Sequence, residues 1–452
     1  MMRKLYAGFG AVLLCGLTLF AGCSNNSYPS DKLKDALLQI CRDEYGIEDI
    51  DVKIAGQTIG VYLPLKKLFA ADFKEAAVTG KVRNLETLFE PSPEALEKVE
   101  DVLFSISRVI LSTDKDLQFY VLQATDIEKT GMQLVLTGFV NDIKRVRVWD
   151  ISRNEYRKRV IHELRLNRAV MWHRPVRKFF KDLENLPLEQ VQKKYFGETL
   201  PAEAIQNLFF NSLLPEGVQG PRRKWEILDI RSAPIQKNEI LVYTKVKSDI
   251  QDLPPDGKEL QYLFLLSLSE EEARIVRIIP FQYRDEAGEM KHIPFPKELQ
   301  IEDNLDHWEQ EFPLEEVKLG SFLAQQLTRR VQGLVAGDER IQNTFREVKM
   351  EFEYNESPDK KPYFSLNLEA ILRDFNNYSR QSVVFHEDML YLLNLISREF
   401  VDLLRSYMFG DFDYLRLNVA QEPTQWILGR EDLELFRRKR IDLQGLLSVP
   451  KL

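Results

Sequence analysis

The first 23 residues constrain this chain most, because they set a short apolar segment apart from a long, charge-rich body. Arg3 and Lys4 give the segment a positive start, and the 16 residues from Leu5 to Phe20 form an apolar run. A helix needs ~20 apolar residues to cross a bilayer, so this run is too short. A positive start, a short apolar run and a small-residue end are typical of a secretory signal peptide. We therefore expect residues 1–22 to be removed during export.

The end of this segment, LFAGC at residues 19–23, resembles the lipobox of bacterial lipoproteins. The resemblance covers residues 1–24 and departs from the usual form at Phe20. In that family the cysteine becomes the first residue of the mature chain and carries diacylglycerol and often an N-acyl chain such as palmitate. The resemblance therefore implies lipidation of Cys23, and two or three acyl chains hold a protein stably at a membrane. An ordinary secretory signal or a short N-terminal membrane helix is the alternative.

Length and cysteine content describe the remaining body. Residues 1–22 hold two positive charges and no acid, so their removal moves the net charge from −8 to −10 over 430 residues. That length indicates two or three domains. With Cys15 removed and Cys23 acylated, Cys41 is the one thiol left, and no internal disulfide is expected. Cys41 falls at an apolar position of a predicted helix, which favours a buried, unreactive thiol.

Residues 31–185 are predicted to form an α+β domain, after a polar tether at residues 23–30. Apolar residues at helical spacing and caps predict helices, whereas alternating runs bounded by glycine predict strands. The predicted elements are a helix after Asp31, a hairpin around residues 56–58, a helix from Pro93, an antiparallel pair at 116–127 and 132–140, a strand at 146–149 and a helix from Ser152.

Three further regions follow. Residues 186–297 are predicted to hold two short helices and an antiparallel meander with strands at 225–232, 239–248, 259–268 and 273–283. Residues 298–314 are predicted to be an acidic linker, since residues 298–316 contain eight acids and no Lys or Arg. Residues 315–452 are predicted to form another α+β domain, with helices at 315–336, 387–408 and from Arg430, and strands at 344–354, 362–371 and 413–419. The fold class expected is α+β and multi-domain, with antiparallel sheets and packed helices.

The first and last regions share an order of elements, which raises the hypothesis of an internal repeat. Both contain a helix, a hairpin, a long helix, a strand, a tryptophan motif and a basic helix. The tryptophan motifs begin at Trp149 and Trp426, and the basic clusters lie at 157–159 and 438–440. If the repeat is real, the two tryptophans are expected to be equivalent and buried. Coincidence in a long chain is the alternative.

Motifs of known enzyme classes were not found in the sequence. The five histidines form no HExxH or other recognisable metal spacing, and no P-loop, G-x-S-x-G or G-x-G-x-x-G is present. His386-Glu387-Asp388 offers cation ligands, but the start of an apolar helix is the simpler interpretation. No cofactor or metal is therefore predicted, and no catalytic residue is assigned.

A basic stretch is the main surface feature. Residues 141–181 contain 13 Lys and Arg against four acids in an otherwise acidic chain. One interpretation is a surface for an anionic partner, such as lipid head groups, a cell-wall polymer or an acidic protein. The other is a solvated helix face, or one paired with the acidic segment at 298–316. The residues expected to form the anionic-partner surface are Arg157, Lys158, Arg165, Arg168, Arg174, Arg177 and Lys178.

The sequence thus predicts a lipid-anchored protein of the bacterial cell envelope that faces the periplasm. Ser24, which is not acidic, follows the cysteine, and in a host with two membranes this favours the outer one. The function expected is non-catalytic, in binding or assembly, with an anionic envelope component or another envelope protein as partner. An envelope enzyme of hydrolase type is the alternative. Nucleic acid is not expected as a partner, and the oligomeric state is left open.

Overall fold

The computed structural model describes residues 28–70, 90–196, 205, 224–236, 238–248, 259–268, 273–284, 290–292, 308–357, 360–373, 387–420, 422 and 425–448. The predicted signal peptide, Cys23 and most of the tether lie outside these residues. The chain divides into two compact units: unit 1 is residues 1–144 and 162–315, and unit 2 is residues 145–161 and 316–452. None of the described helices is long and apolar enough to span a membrane.

The first sheet of unit 1 has five strands in the order β1-β2-β3-β4-β5. Its strands are β1 Asp51–Ala55, β2 Thr58–Leu65, β3 Phe119–Asp126, β4 Met132–Phe139 and β5 Ile161–Leu166. Helices α1 Leu33–Tyr45 and α2 Pro93–Leu111 contact this sheet and each other. Helices α3 Val140–Arg147 and α4 Arg153–Arg159 follow β4.

Local chemistry explains where these elements begin and turn. The Ser92 hydroxyl accepts a hydrogen bond from the Ala95 amide at 3.2 Å, which caps α2. Gly56 joins β1 to β2 with a φ of 54°, a backbone conformation that glycine adopts at no steric cost. Strands β1 and β2 are antiparallel, β2 and β3 parallel, and β3 and β4 antiparallel. Cys41 is buried in α1 as expected, and burial raises the pKa of its thiol.

The meander of unit 1 packs against a helix that precedes it. Its sheet runs in the order β6-β7-β8-β9, with strands β6 Trp225–Gln236, β7 Glu239–Ser248, β8 Glu259–Leu268 and β9 Ala273–Pro280. A small hairpin follows, with strands β10 Gln282–Arg284 and β11 Met290–His292. Helices α5 Arg168–Asn185 and α6 Leu188–Tyr195 come before the sheet. Phe179 and Phe180 of α5 insert among the aromatic rings of this core, including Phe264 at 5.8 and 5.7 Å between ring centroids.

Unit 2 contains a four-stranded sheet in the order β12-β13-β14-β15. Its strands are β12 Phe345–Ser357, β13 Lys360–Leu372, β14 Tyr414–Val419 and β15 Gln425–Gly429. Its helices are α7 Leu319–Gly337, α8 Glu339–Thr344, α9 Glu387–Ser406, α10 Arg430–Arg437 and α11 Leu443–Leu447. The described helices and strands of the two units confirm the α+β class.

Residues 145–161 belong to unit 2 through specific contacts of α4. The buried Gln326 side chain donates a hydrogen bond to the Arg159 carbonyl, and the Arg159 guanidinium lies 4.8 Å from the ring centroid of Tyr407. Glu155 accepts from Arg159 at 2.9 Å and from Arg330 at 3.1 Å. Burial would raise the pKa of Glu155, but these two guanidinium groups outweigh it and lower that pKa.

Most of the predicted elements are confirmed, and one predicted strand is wrong. Residues 146–149 continue α3 and then turn, with Trp149 at a φ of 62°. The valine-rich pattern there, at 146–148, resembled a strand, but the run is too short to pair and α3 starts directly at the end of β4. Strands β5 and β15 were not predicted, since each is short and lies beside basic residues.

Four strands of the first sheet share their order and directions with the four strands of unit 2, but the repeat as predicted from the tryptophan motifs is wrong, because it required both tryptophans to be equivalent and buried. In each region an antiparallel hairpin is followed by a parallel and then an antiparallel neighbour. Trp426 is buried within β15, whereas Trp149 is 83% exposed after α3.

The register of the elements gives a different equivalence, in which Trp149 corresponds to Lys439. Both α3 and α10 begin directly after the last strand of a hairpin, and the next helix begins 13 residues later in each case. Both residues have a positive φ, 62° and 58°, at the same offset. Ser152 and Asp442 are likewise equivalent, because each caps the following helix with its side chain.

Candidate functional site

The described end of the acidic segment, residues 308–314, packs against the first sheet. The sequence predicts an acidic linker at residues 298–314, and residues 298–307 of it lie outside the described part of the chain. The ring of Phe312 stacks on Tyr62 at 5.6 Å between centroids, and Lys53 Nζ donates to the Phe312 carbonyl at 2.8 Å. A Cβ atom at Gly60 would lie 2.7 Å from the Leu314 side chain, so glycine there makes the close approach possible.

Glu311 lies at the centre of this contact. Its Oε1 atom is 2.9 Å from His173 Nδ1 and accepts from Arg177 Nε at 2.9 Å. Its Oε2 atom accepts a longer hydrogen bond from the Tyr62 hydroxyl at 3.4 Å. The Glu311 carbonyl accepts from Gln123 Nε2 at 2.6 Å and from Asn167 Nδ2 at 2.7 Å. Side chains of β2, β3 and α5 therefore converge on one residue.

The partners determine the charge of this cluster. Burial by itself would raise the pKa of Glu311, but the hydrogen bond from His173 and the charge of Arg177 outweigh it and lower the pKa to about 2. Burial lowers the pKa of the His173 imidazole, so the ring is neutral at pH 7 and donates from Nδ1. Burial and the Glu311 charge raise the pKa of the Tyr62 hydroxyl. The cluster holds one carboxylate and one guanidinium, and the remaining members are neutral.

A histidine next to a carboxylate is an arrangement used in acid–base catalysis, but here it is closed. His173 has no exposed surface, and its Nε2 atom has no hydrogen-bond partner among the described residues. A cleft of about 470 Å³ is lined by Asn167 and Trp308, and its lining includes neither His173 nor Glu311. The arrangement therefore supports a structural role, which is to hold residues 308–314 on the sheet.

A second candidate site is an open groove in unit 2, with a volume of about 1120 Å³. It lies between α9 and the α10–α11 turn, with Arg340 of α8 at one edge. Its charged lining residues are Arg340, Arg398, Arg437, Lys439, Arg440, Glu387, Asp402 and Asp442. Five cations and three acids give the lining a positive balance within an acidic chain.

The cations of this groove fall into two classes. Arg340 is paired with Asp388 at 2.7 Å and stacks on Tyr391, and Arg437 is paired with Glu434 at 2.6 Å. Arg398, Lys439 and Arg440 are exposed, and among the described residues they make no ion pair or side-chain hydrogen bond. We call these last three the groove cations. They are available to an anionic group that enters the groove.

The turn between α10 and α11 fixes the place of Lys439. Its backbone has a φ of 58°, and its amide donates to the Phe436 carbonyl at 2.9 Å. The Arg440 amide donates to the Leu435 carbonyl at 2.9 Å, which closes the turn. The Asp442 carboxylate caps α11 by accepting from the Gly445 amide at 2.8 Å. Two of the three groove cations thus lie on a hydrogen-bonded turn.

The residues predicted for the anionic-partner surface are divided between the two units. Arg157 and Lys158 lie in unit 2 and are exposed, whereas the other five lie in unit 1. Of these five, Arg168 and Lys178 are exposed without an ion pair in the described part of the chain, and Arg165 is exposed but pairs with Glu163. Arg174 donates to the Glu128 carbonyl, and Arg177 pairs with Glu311.

The predicted pairing of basic residues with the acidic segment is therefore met at one position, Arg177–Glu311. Within the acidic segment, Asp303, Asp306, Glu309 and Glu311 are the partners expected; Asp303 and Asp306 lie outside the described residues, as does Cys23, and Glu309 makes no ion pair with a described residue. The described residues contain no group of three or more His, Cys, Asp or Glu that could hold a metal ion.

Sequence reasoning missed both candidate sites. Glu311 carried no signal beyond its place in an acidic run, although the apolar Trp308, Phe312 and Leu314 around it indicate burial in retrospect. Of the groove cations, Lys439 and Arg440 belong to the basic cluster at 438–440, but Arg398 comes from α9, 41 positions before Lys439. No protein-family model, curated protein or solved structure matches this chain.

Proposed function

We propose that this chain is a lipid-anchored envelope protein with a non-catalytic role, and that the unit-2 groove binds an anionic envelope component. The observation that carries the proposal is the set of three exposed groove cations without ion-pair partners among the described residues. Cations on a concave surface raise the local concentration of anions.

The closed Glu311 cluster supports a binding role over an enzymatic one. A catalytic carboxylate must reach a substrate, yet each side-chain oxygen of Glu311 already accepts a hydrogen bond from the protein. In the groove, carboxyl and guanidinium groups are open to solvent, and no histidine, cysteine or serine lines it among the described residues. Charge recognition without a nucleophile fits a binding surface.

Lipidation of Cys23 remains the basis for the proposed location. The mature chain would begin at this cysteine and lie in the periplasm on the outer membrane, since Ser24 follows it. Residues 24–32 separate Cys23 from α1, and a segment this short would keep the body near the membrane surface. Mass spectrometry of the mature N-terminus should detect an acylated Cys23, and Cys23→Ala should abolish the modification. An unmodified start at another residue would contradict the anchor alone.

The groove is tested by charge reversal. The triple variant Arg398→Glu, Lys439→Glu, Arg440→Glu should weaken binding of inorganic polyphosphate and of polyglutamate by roughly tenfold at low salt, because each exposed charge pair contributes up to ~1 kcal/mol. The matched control reverses Arg157, Lys158 and Arg168, which belong to the surface predicted from sequence. Loss of binding in the control variant with retention in the groove variant would reject the groove and favour the predicted surface. Pull-down from detergent-solubilised envelope with both variants identifies the partner.

A further inference from the structure

Among the described residues of unit 2, three large apolar side chains are more than two-thirds exposed. Val148 is 71% exposed, Trp149 83% and Met408 86%. The other tryptophans among the described residues, at 172, 225, 308 and 426, are buried or half-buried. Single exposed apolar residues are common, but an exposed tryptophan leaves a larger apolar area in contact with water than other side chains do. A group of three such residues calls for a partner surface.

Two of the three residues lie in turns with a left-handed backbone. Trp149 has a φ of 62° and Met408 a φ of 53°, which are unfavourable for residues with a Cβ atom. Local hydrogen bonds hold both turns: the Trp149 amide donates to the Val146 carbonyl at 3.1 Å, and the Met408 amide donates to the Arg405 carbonyl at 2.9 Å. Strained positions of this kind persist where the surrounding structure fixes them.

The two turns are tied together within unit 2. Arg145 Nε pairs with Asp150 at 2.6 Å across the first turn, and Arg145 Nη1 donates to the Ser406 carbonyl at 3.1 Å in the second. On the other side of the first turn, Arg159 stacks over Tyr407, the residue before Met408. We call Val148, Trp149 and Met408 the apolar tip. Its two turns are neighbours because one arginine contacts both.

Unpaired cations flank the apolar tip. Arg147 precedes Val148, Arg153 begins α4, and Arg405 lies three residues before Met408. All three are exposed, and none makes an ion pair or side-chain hydrogen bond within the described part of the chain. Arg157 and Lys158 on α4 add two more exposed cations to the same segment. The tip therefore combines apolar side chains with a positive rim.

From this combination we propose that the apolar tip docks unit 2 onto an anionic bilayer surface, with Trp149 inserted at the level of the lipid head groups. Tryptophan favours that boundary because its ring is apolar and its indole N–H is polar. Each cation close to an anionic surface adds attraction that falls off within a Debye length of ~8 Å at physiological salt. A protein partner would require shape complementarity that three side chains on two turns do not supply.

The inference rests on the proposed location at a membrane, but not on lipidation or on the groove. If the tip docks, it would orient unit 2, and with it the groove of unit 2, relative to the membrane surface. Docking by the tip alone is measurable without any acyl chain.

The test uses the unlipidated chain from Ser24 onward, which contains every described residue. Its co-sedimentation is measured with vesicles of phosphatidylglycerol and phosphatidylcholine, and with vesicles of phosphatidylcholine alone. We expect salt-sensitive binding to the anionic vesicles. Trp149→Ser together with Met408→Ser should lower the vesicle partition coefficient roughly tenfold or more, from the apolar surface lost. Phe104→Ser is the matched control, since Phe104 is 72% exposed on α2 of unit 1.

Tryptophan fluorescence gives a second measurement. Anionic vesicles should shift the emission to shorter wavelength and protect it from acrylamide, and Trp149→Phe should remove that change while keeping most of the binding. The groove triple variant should bind vesicles as the wild type does, which separates this proposal from the groove proposal. Binding that survives Trp149→Ser and Met408→Ser, or that depends on charge alone, would overturn the insertion. Capture of an envelope protein through the tip without vesicle binding would do the same.

Discussion

The first sheet of unit 1 and the sheet of unit 2 share strand order but differ in what covers their second face. On the first sheet, helices cover one face and residues 308–314 cover the other around Gly60 and Tyr62. On the unit-2 sheet, the strand residues equivalent to these by pairing register are Ser365 and Asn367. Asn367 is exposed there, whereas Ser365 is buried and bonds with the side chains of Asn355 and Glu353. The position of Tyr62 on the first sheet is thus covered by a chain segment, and the equivalent position of the unit-2 sheet is open to solvent.

The side chains at equivalent strand positions show why one sheet face is buried and the other is partly exposed. The residue equivalent to Val121 of β3 is Arg416 of β14, whose guanidinium lies 4.7 Å from the ring centroid of Tyr363. Tyr363 stacks on Tyr414 at 4.8 Å between centroids. These side chains pack on each other across the strands of unit 2. On the first sheet, Phe312 of the covering segment packs on Tyr62 in the corresponding region.

The largest effect expected concerns that covering segment. Phe312→Ala should lower the free energy of unfolding of unit 1 by roughly 3–5 kcal/mol, since it removes a buried ring from the sheet face. Tyr363→Ala, on the open face of unit 2, should cost about 1 kcal/mol or less. Chemical denaturation followed by circular dichroism measures both. Equal losses for the two variants would break the comparison.

The next effect is the pH dependence of the covered face. The pKa of Glu311 is lowered from 4.5 to about 2, so its stabilising contribution is complete above pH 4.5 and is lost as the pH falls towards 2. The pKa of His173 is lowered below 6.5, so the unfolded chain takes up a proton first and stability also falls as the pH drops below 6.5. Both windows have the same sign, because the unfolded state binds more protons.

The Glu311→Gln variant should therefore be less stable than the wild type at pH 7. Its free energy of unfolding should also fall less than that of the wild type as the pH is lowered. We expect a loss of about 2 kcal/mol at pH 7, from the weaker hydrogen bonds of a neutral amide to Arg177. Urea midpoints from pH 7 to pH 3 provide the measurement. A wild-type urea midpoint that does not fall below pH 6.5 would contradict the role of the buried Glu311–His173 pair. Glu353→Gln, an exposed acid on the open face, serves as the control.

The smallest effect expected tests the structural equivalence of Trp149 and Lys439. Glycine relieves the positive φ at each position, but it also adds conformational entropy to the unfolded chain. Trp149→Gly and Lys439→Gly should each change the free energy of unfolding of unit 2 by less than about 1 kcal/mol, and by similar amounts. Differential scanning calorimetry compares the two. A loss of several kcal/mol at Trp149 alone would mean that its side chain packs and would break the equivalence.

Much of the fold was predictable because its signals are local. The turn around Gly56, the helix start at Pro93 and the apolar spacing of α9 are each signals within a few residues, and the hairpin and the two helices that they predict are present. The errors arose where a local pattern was ambiguous. The run at 146–149 resembled a strand. Trp149 was aligned with Trp426 because tryptophan is rare, although Trp149 has a positive φ and is exposed whereas Trp426 is buried in a strand.

The candidate sites were not predictable for the opposite reason. The carboxylate of Glu311 is ionised in a buried place because Tyr62, His173 and Arg177 converge on it, and Tyr62 is 249 positions away in the chain. The groove cations likewise come from α9 and from a turn that follows two later strands. Sequence patterns record the period of an element but not which distant elements meet.

The sequence by itself determined the class of elements and where several of them begin, since these depend on neighbours along the chain. Tertiary structure decided that residues 145–161 join unit 2, that residues 308–314 cover the first sheet, and that Asn367 on the second sheet is exposed. A charge is buried only where hydrogen-bond or ion-pair partners from elsewhere in the chain reach it, and an aromatic ring only where other side chains pack against it. The same glutamate that would be a solvated acid in an isolated segment becomes the anchor of a sheet face once Arg177 and His173 reach it.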